Sequence, residues 1–174
     1  SAILAGRSTC REAAERQLFW ALRRRNWWVN LMKWSAAWIS CAGLKTRPNA
    51  CFRARKNFAL VEVPKSLLLH IAAESLYRLY VNGQPVARGP ARGTQTVNFY
   101  DTVDIAPQLK SGDNWIAVDV HCHNIATSQA NPVEPALLVQ SDSQLICTDD
   151  SWQVQPADEW RSDVPIFTYQ VGYM

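Results

Sequence analysis

The groups in this chain best suited to chemistry are one close pair of imidazoles, a scatter of carboxylates, and hydrogen-bonding side chains beside turns. His121-Cys122-His123 puts two imidazoles on one side of an extended chain and a thiol on the other. A zinc site takes three or four such ligands. His70 or Cys147 would have to be carried to the triplet by the fold. Without them it reads as a strand end entering a loop, and the sequence assigns no metal and no cofactor. Hydrolysis by paired carboxyl groups needs an acid and a base set across the scissile bond. Glu62, Glu74, Glu134, Asp149, Asp150, Asp158 and Glu159 stand in no pattern that sets one against another, so they read as solvated surface groups. Asp101, Asp104 and Asp113 are hard-cation donors without the spacing of a calcium loop. Arg92, Asn98, Tyr100, His123, Asn124 and Gln129 combine planar hydrogen-bonding groups with an aromatic ring near predicted strand ends. That is the equipment of a saccharide site. The competing reading makes Tyr100 and Arg92 supports of the core and of a hairpin.

The elements that must position these groups are short and strand-like. Leu76 to Val81 alternates, with Leu76, Arg78 and Tyr80 on one parity and Tyr77, Leu79 and Val81 on the other, so apolar residues lie on both sides. Asn82-Gly83 supplies two residues that tolerate positive φ, as a type I′ turn requires. Gln84 to Arg88 is the return strand, and Gly89-Pro90 ends it because proline has no N–H for a ladder. Cys51 to Leu60 reads as a strand with Phe52 and Phe58 on one parity. Ser66 to Ala73 is apolar except for His70 and reads as a strand buried on both faces, with His70 a hydrogen-bonded structural residue. Further strands are predicted over Asn98–Ile105, Trp115–Val120, Ala136–Gln140, Gln144–Thr148 and Pro165–Val171, with a turn over Ser111–Asn114. Cys41 to Asn49, Arg92 to Val97 and His121 to Pro135 read as loops.

Net charge is +3, and it is unevenly placed. The first 33 residues hold seven basic side chains against two acidic ones, and the rest hold eleven against thirteen. The body therefore makes no electrostatic case for nucleic acid. Ser8-Thr9 with Glu12 reads as a capped helix start, and Ala13, Ala14, Leu18, Phe19 and Leu22 recur at helical spacing. Arg23-Arg24-Arg25-Asn26-Trp27-Trp28 could in principle grip phosphates or lie on a bilayer. It reads more simply as the charged end of a helix whose indoles pack, so neither nucleic acid nor membrane is assigned as a partner. Five widely spread cysteines do not form a disulfide framework, and free thiols are expected. Cytoplasmic location is the default; a lost signal segment would make it periplasmic or secreted.

Four elements in order carry a resemblance: Leu79 to Gly83, Arg88 to Pro90, Tyr100 to Ile105 and Leu109 to Asn114. Together with Trp34-Ser35-Ala36-Ala37-Trp38-Ile39 and Asp149 to Trp152, they resemble the N-terminal module of bacterial α-L-rhamnosidase-like glycoside hydrolases. The resemblance implies an all-β fold, an antiparallel jelly-roll sandwich of the galactose-binding-domain type. It divides the chain into a basic, tryptophan-rich helical arm over residues 1–33 and a sandwich over 34–174. In such enzymes the acid and base lie on a downstream helical barrel. The resemblance therefore implies a non-catalytic accessory module whose partner is the catalytic domain of the same polypeptide. The alternative is an autonomous carbohydrate-binding module.

Overall fold

The computed structural model describes residues 33–91, 98–125, 133–160 and 163. Among them run eight strands: β1 (Ala50–Leu60), β2 (Leu68–Ala73), β3 (Leu76–Val81), β4 (Gln84–Gly89), β5 (Asp101–Asp104), β6 (Gly112–Cys122), β7 (Leu137–Ser141) and β8 (Gln153–Pro156). A 3-10 turn at Ala106–Gln108 separates β5 from β6. The strands form a five-stranded sheet ordered β4-β3-β6-β1-β8 and a three-stranded sheet ordered β5-β2-β7. All pairings are antiparallel. The chain changes sheet at every connection except the β3–β4 hairpin, which is the weave of a jelly-roll sandwich.

Period-two patterning builds the core. β1 turns Ala50, Phe52 and Ala54 inward, and β6 turns Ile116, Val118, Val120 and Cys122 to meet them. Their register is continuous from Ala50↔Cys122 to Leu60↔Gly112. β3 adds Tyr77, Leu79 and Val81; the other sheet supplies Leu69, Ile71, Leu137 and Val139. Burying side chains of this size contributes about 1.5–3 kcal/mol each. The two sheets also share a polar tie, in which Tyr77 Oη donates to Asp101 Oδ2 at 2.6 Å. A Cβ at Gly89 would collide with that carboxylate, so a larger residue there would displace Asp101 from its bond with Tyr77.

The hairpin has the predicted form. Val81 pairs with Gln84, and Asn82 and Gly83 have φ of 49° and 83°. Of its two apolar-bearing sides, β3 buries the Tyr77 face, while Leu76 and Arg78 are exposed. Several other expectations are corrected. β2 is covered on both faces only at its Ile71–Ala73 end; Leu68 and His70 are half-buried. The strand expected from Asn98 starts at Asp101, and the turn expected over Ser111–Asn114 is already β6 from Gly112 onward. The segment Gln144–Thr148 forms one bridge, Gln140↔Cys147, rather than a strand. β8 was not foreseen. The helical arm, the loop Arg92–Val97 and the strand Pro165–Val171 lie outside the described residues.

The chain from Lys33 to Ile39 is bound to the outer face and edge of the smaller sheet. Buried Gln140 accepts from Ser35 N, Ser35 Oγ and Ala36 N, and donates to Lys33 O. Ile39 bridges Leu137, and Ala37 N donates to Thr148 O. Cys41, Cys51, Cys122 and Cys147 are free thiols, as expected.

Candidate functional site

The saccharide-type residues fall into separate places. β3 and β6 pair so that Leu76 lies opposite His121, which brings the β2–β3 turn to the end of β6. There Asn98 Nδ2 donates to Glu74 Oε1 at 2.7 Å. Burial pushes the Glu74 carboxyl up, and the Asn98 bond opposes that shift. Ser75 Oγ contacts Cys122 Sγ at 3.8 Å, and Cys122 is buried with its thiol raised by desolvation. The His121 and His123 rings lie 4.8 Å apart at 44°. Burial, then the His123 and Arg78 charges, hold His121 below the usual imidazole value. Asn124, in the left-handed region at φ 47°, donates through Nδ2 to Lys45 O and Arg47 O. Both asparagine amides are thus engaged in holding the chain.

Tyr100 sits elsewhere. It is 44% exposed and packs edge-on against Trp34 and His70, with centroids at 5.5 and 5.8 Å. His70 Nδ1 lies 2.9 Å from Thr102 Oγ1, the hydrogen-bonded structural role predicted for it. Asn98, His123 and Asn124 therefore share one end of the sandwich, while Tyr100 belongs to the outer face of the smaller sheet. Arg92 and Gln129 lie outside the described residues. Among the described residues no three His, Cys, Asp or Glu side chains gather where an ion could be held. No helix among them is long and apolar enough to cross a membrane.

Sequence reasoning missed the solvent face of the larger sheet. Arg55 lies over the Trp115 ring at 4.9 Å. Arg53 Nε donates to Asp119 Oδ1 at 3.1 Å, and Arg53 also pairs with Glu159. Arg78 and Arg88 face each other across β3 and β4. The parity of Arg53, Arg55, Arg78 and Arg88 was visible in the sequence; which strands are neighbours was not.

The GH78 family rhamnosidase of Bacillus sp. GL1 is similar to this chain at 33% identity, with a TM-score of 0.67 over 72% of this chain and 14% of that one. The chain is a sandwich module of the α-L-rhamnosidase type. The α-L-rhamnosidases of Dictyoglumus thermophilum (21% identity, TM-score 0.63, 74% of this chain and 17% of that one) and Aspergillus terreus (23%, 0.57, 70% and 17%) share the fold. The chain thus spans only about a sixth of the length of these three rhamnosidases. No family model matches the chain, and no curated protein matches it.

Proposed function

We propose that this chain is a non-catalytic accessory module of an α-L-rhamnosidase-like glycoside hydrolase, and that its role is to brace the catalytic region of a longer polypeptide. The observation that carries this reading is the coverage: a 33%-identical relative uses the same sandwich as 14% of its length. The local chemistry supports it. The Asn98 and Asn124 amides are committed to protein partners, and among the described residues the imidazole pair is not joined by a third ligand into a group that could hold a metal ion. Residues 34–174 are proposed as the module and residues 1–33 as an arm outside it.

The test is removal of the module from the parent enzyme. The truncated enzyme should melt several degrees lower, yet cleave an aryl rhamnoside at unchanged kcat well below its melting temperature. An unchanged melting temperature, or cleavage of the aryl rhamnoside by this chain alone, would overturn the reading. The second reading, an autonomous carbohydrate-binding module, draws on the exposed face of Tyr100 beside Trp34. Binding of a neutral sugar that is lost in Tyr100→Ala would favour it.

A further inference from the structure

The pairing of β4, β3, β6 and β1 lines up Arg88, Arg78, Asp119 and Arg53 in one row on the solvent face of the larger sheet. Residues directly opposite on one face have Cβ atoms about 4.5–5.5 Å apart, and like charges placed so are destabilising. Asp119 is the cross-strand neighbour of Arg78, but it accepts from Arg53. Arg78 and Arg88 are left opposite each other, both exposed, without a hydrogen bond or ion pair to another described residue.

The register shifts beside this pair. Leu79 pairs with Ala87 and Tyr80 with Pro85, so Val86 is an extra residue in β4. Such bulges bend a strand and re-aim its side chains, and they recur next to sites. Here Arg78, Tyr80, Pro85, Val86 and Arg88 line an open cleft of about 330 Å³. That is the small end of the range for ligand clefts. Protection of a sheet edge accounts for a charge on β4, the outermost strand. It does not account for a second arginine on β3, an interior strand, nor for the tyrosine and proline beside the two.

We propose that this cleft binds a carboxylate-bearing sugar, a uronate residue of an oligosaccharide. Guanidinium forks match carboxylate oxygens two bonds at a time, and a carboxylate between Arg78 and Arg88 relieves their mutual repulsion. The Tyr80 ring and Pro85 supply an apolar surface for the C–H face of a pyranose. The cleft is the size of a sugar residue and too small for a protein surface. Asn98, His123 and Asn124 are not among the residues that line the cleft. The site does not depend on the bracing role, since a module that failed to stabilise an enzyme would still bind here.

The test is a nuclear magnetic resonance titration of the full chain, following the amides of residues 78–88. The ligands are a galacturonate oligosaccharide, a matched neutral galactose oligosaccharide and sodium acetate. The galacturonate should shift those amides, and its affinity should fall about tenfold or more as salt rises from roughly 0.02 to 0.5 M. Arg78→Gln and Arg88→Gln should each weaken it about tenfold, the scale of one charge-assisted contact. Thermal unfolding checks that both variants fold. No shift with the galacturonate, equal binding of the neutral sugar, acetate binding as tightly as the oligosaccharide, or full affinity in both variants would overturn the proposal. If a variant fails to fold, the salt series and the neutral sugar still decide it.

Discussion

Replacing Asn114 by alanine should strongly destabilise this module, although Asn114 touches nothing that resembles a ligand site. Asn114 is 2% exposed at the start of β6. Its Oδ1 accepts from Lys110 N at 2.9 Å and from Asn82 Nδ2 at 2.8 Å, and its Nδ2 donates to Lys110 O and Gly112 O at 2.6 and 2.9 Å. Asn82 continues the network by donating to Gln108 O and accepting from Trp115 N. The two turns flanking β3 and β6 are thereby held as one unit. Four hydrogen bonds end at the Asn114 amide, each worth about 0.5–1.5 kcal/mol net. Lys110 and Gly112 are exposed enough for water to replace part of what they lose. Asn114→Ala should therefore cost about 2–4 kcal/mol, or roughly 6–12 °C in melting temperature. The second arm is Asn82→Gly, which deletes the side chain and keeps a residue at ease with φ of 49°. Urea unfolding of both single variants and the double variant gives a coupling energy, expected at about 0.5–1.5 kcal/mol. A cost below about 1 kcal/mol for Asn114→Ala, or strict additivity in the cycle, would refute the claim that this network holds the two turns together.

Tyr77→Phe should cost about 1.5–3 kcal/mol, because it leaves the Asp101 carboxylate without the hydroxyl that reaches it from the other sheet. Burial, then the Asp101 bond and charge, push the Tyr77 hydroxyl well above its usual value, so the stability it gives is present below pH 10 and is lost as pH rises through the folded value. Alkaline unfolding of wild type and Tyr77→Phe should differ accordingly; coincident curves would sink the idea. Gln140→Ala should free the Lys33–Ala36 segment, read as faster hydrogen exchange at Ser35 and Ala36, whereas deleting residues 1–31 should move the melting temperature by only a few degrees. Stability should also fall in two stages on acidification. His70 and His121 are held below 6.5 by burial, so both favour the unfolded chain once it protonates below that pH. Asp104, whose carboxylate accepts from Leu67 N and Ala106 N, is held below 3.8, and its contribution goes as pH falls past that value. Melting curves across pH should show the upper stage flattened in a His70→Gln, His121→Gln double variant and the lower stage flattened in Asp104→Asn.

The β3–β4 hairpin was legible because everything that specifies it is local: parity, Asn82-Gly83, and a proline after the return strand. β8 was not, because Gln153-Val154-Gln155-Pro156 is short, polar and exposed, and is a strand only through its pairing with β1. The strand predicted from Asn98 lost its first residues to tertiary partners, Asn98 to Glu74 and Tyr100 to the Trp34 and His70 rings. At the candidate site, residue type was legible and commitment was not. Asn124 looks like a free amide in the sequence, but its partners are carbonyls some 80 residues earlier in the chain. The Arg88-Arg78-Asp119-Arg53 row could not be read at all without the strand order.

The four stretches that carry the rhamnosidase resemblance can now be sorted by what their side chains do. Leu79, Val81 and Ile105 are core. Asn82 and Asn114 tie the turns; Gly83 and Gly112 adopt positive φ. Gly89 clears Asp101, which meets Tyr77; Thr102 meets His70; Asp104 accepts from Leu67 N and Ala106 N. Nearly every position serves the sandwich itself, so the resemblance transfers architecture and says little about ligands. Arg88, like the exposed Lys110 and Asp113, is an exception. It is a charged side chain without a described partner, and unlike those two it stands opposite a like charge on β3. A fold-determining motif has no physical need for that charge, and removing it should raise stability slightly by relieving the Arg78 contact. Arg88→Gln therefore separates the two accounts in one molecule. A stabilised variant with weakened uronate binding marks a residue retained for recognition, and a destabilised one marks a residue that belongs to the sandwich.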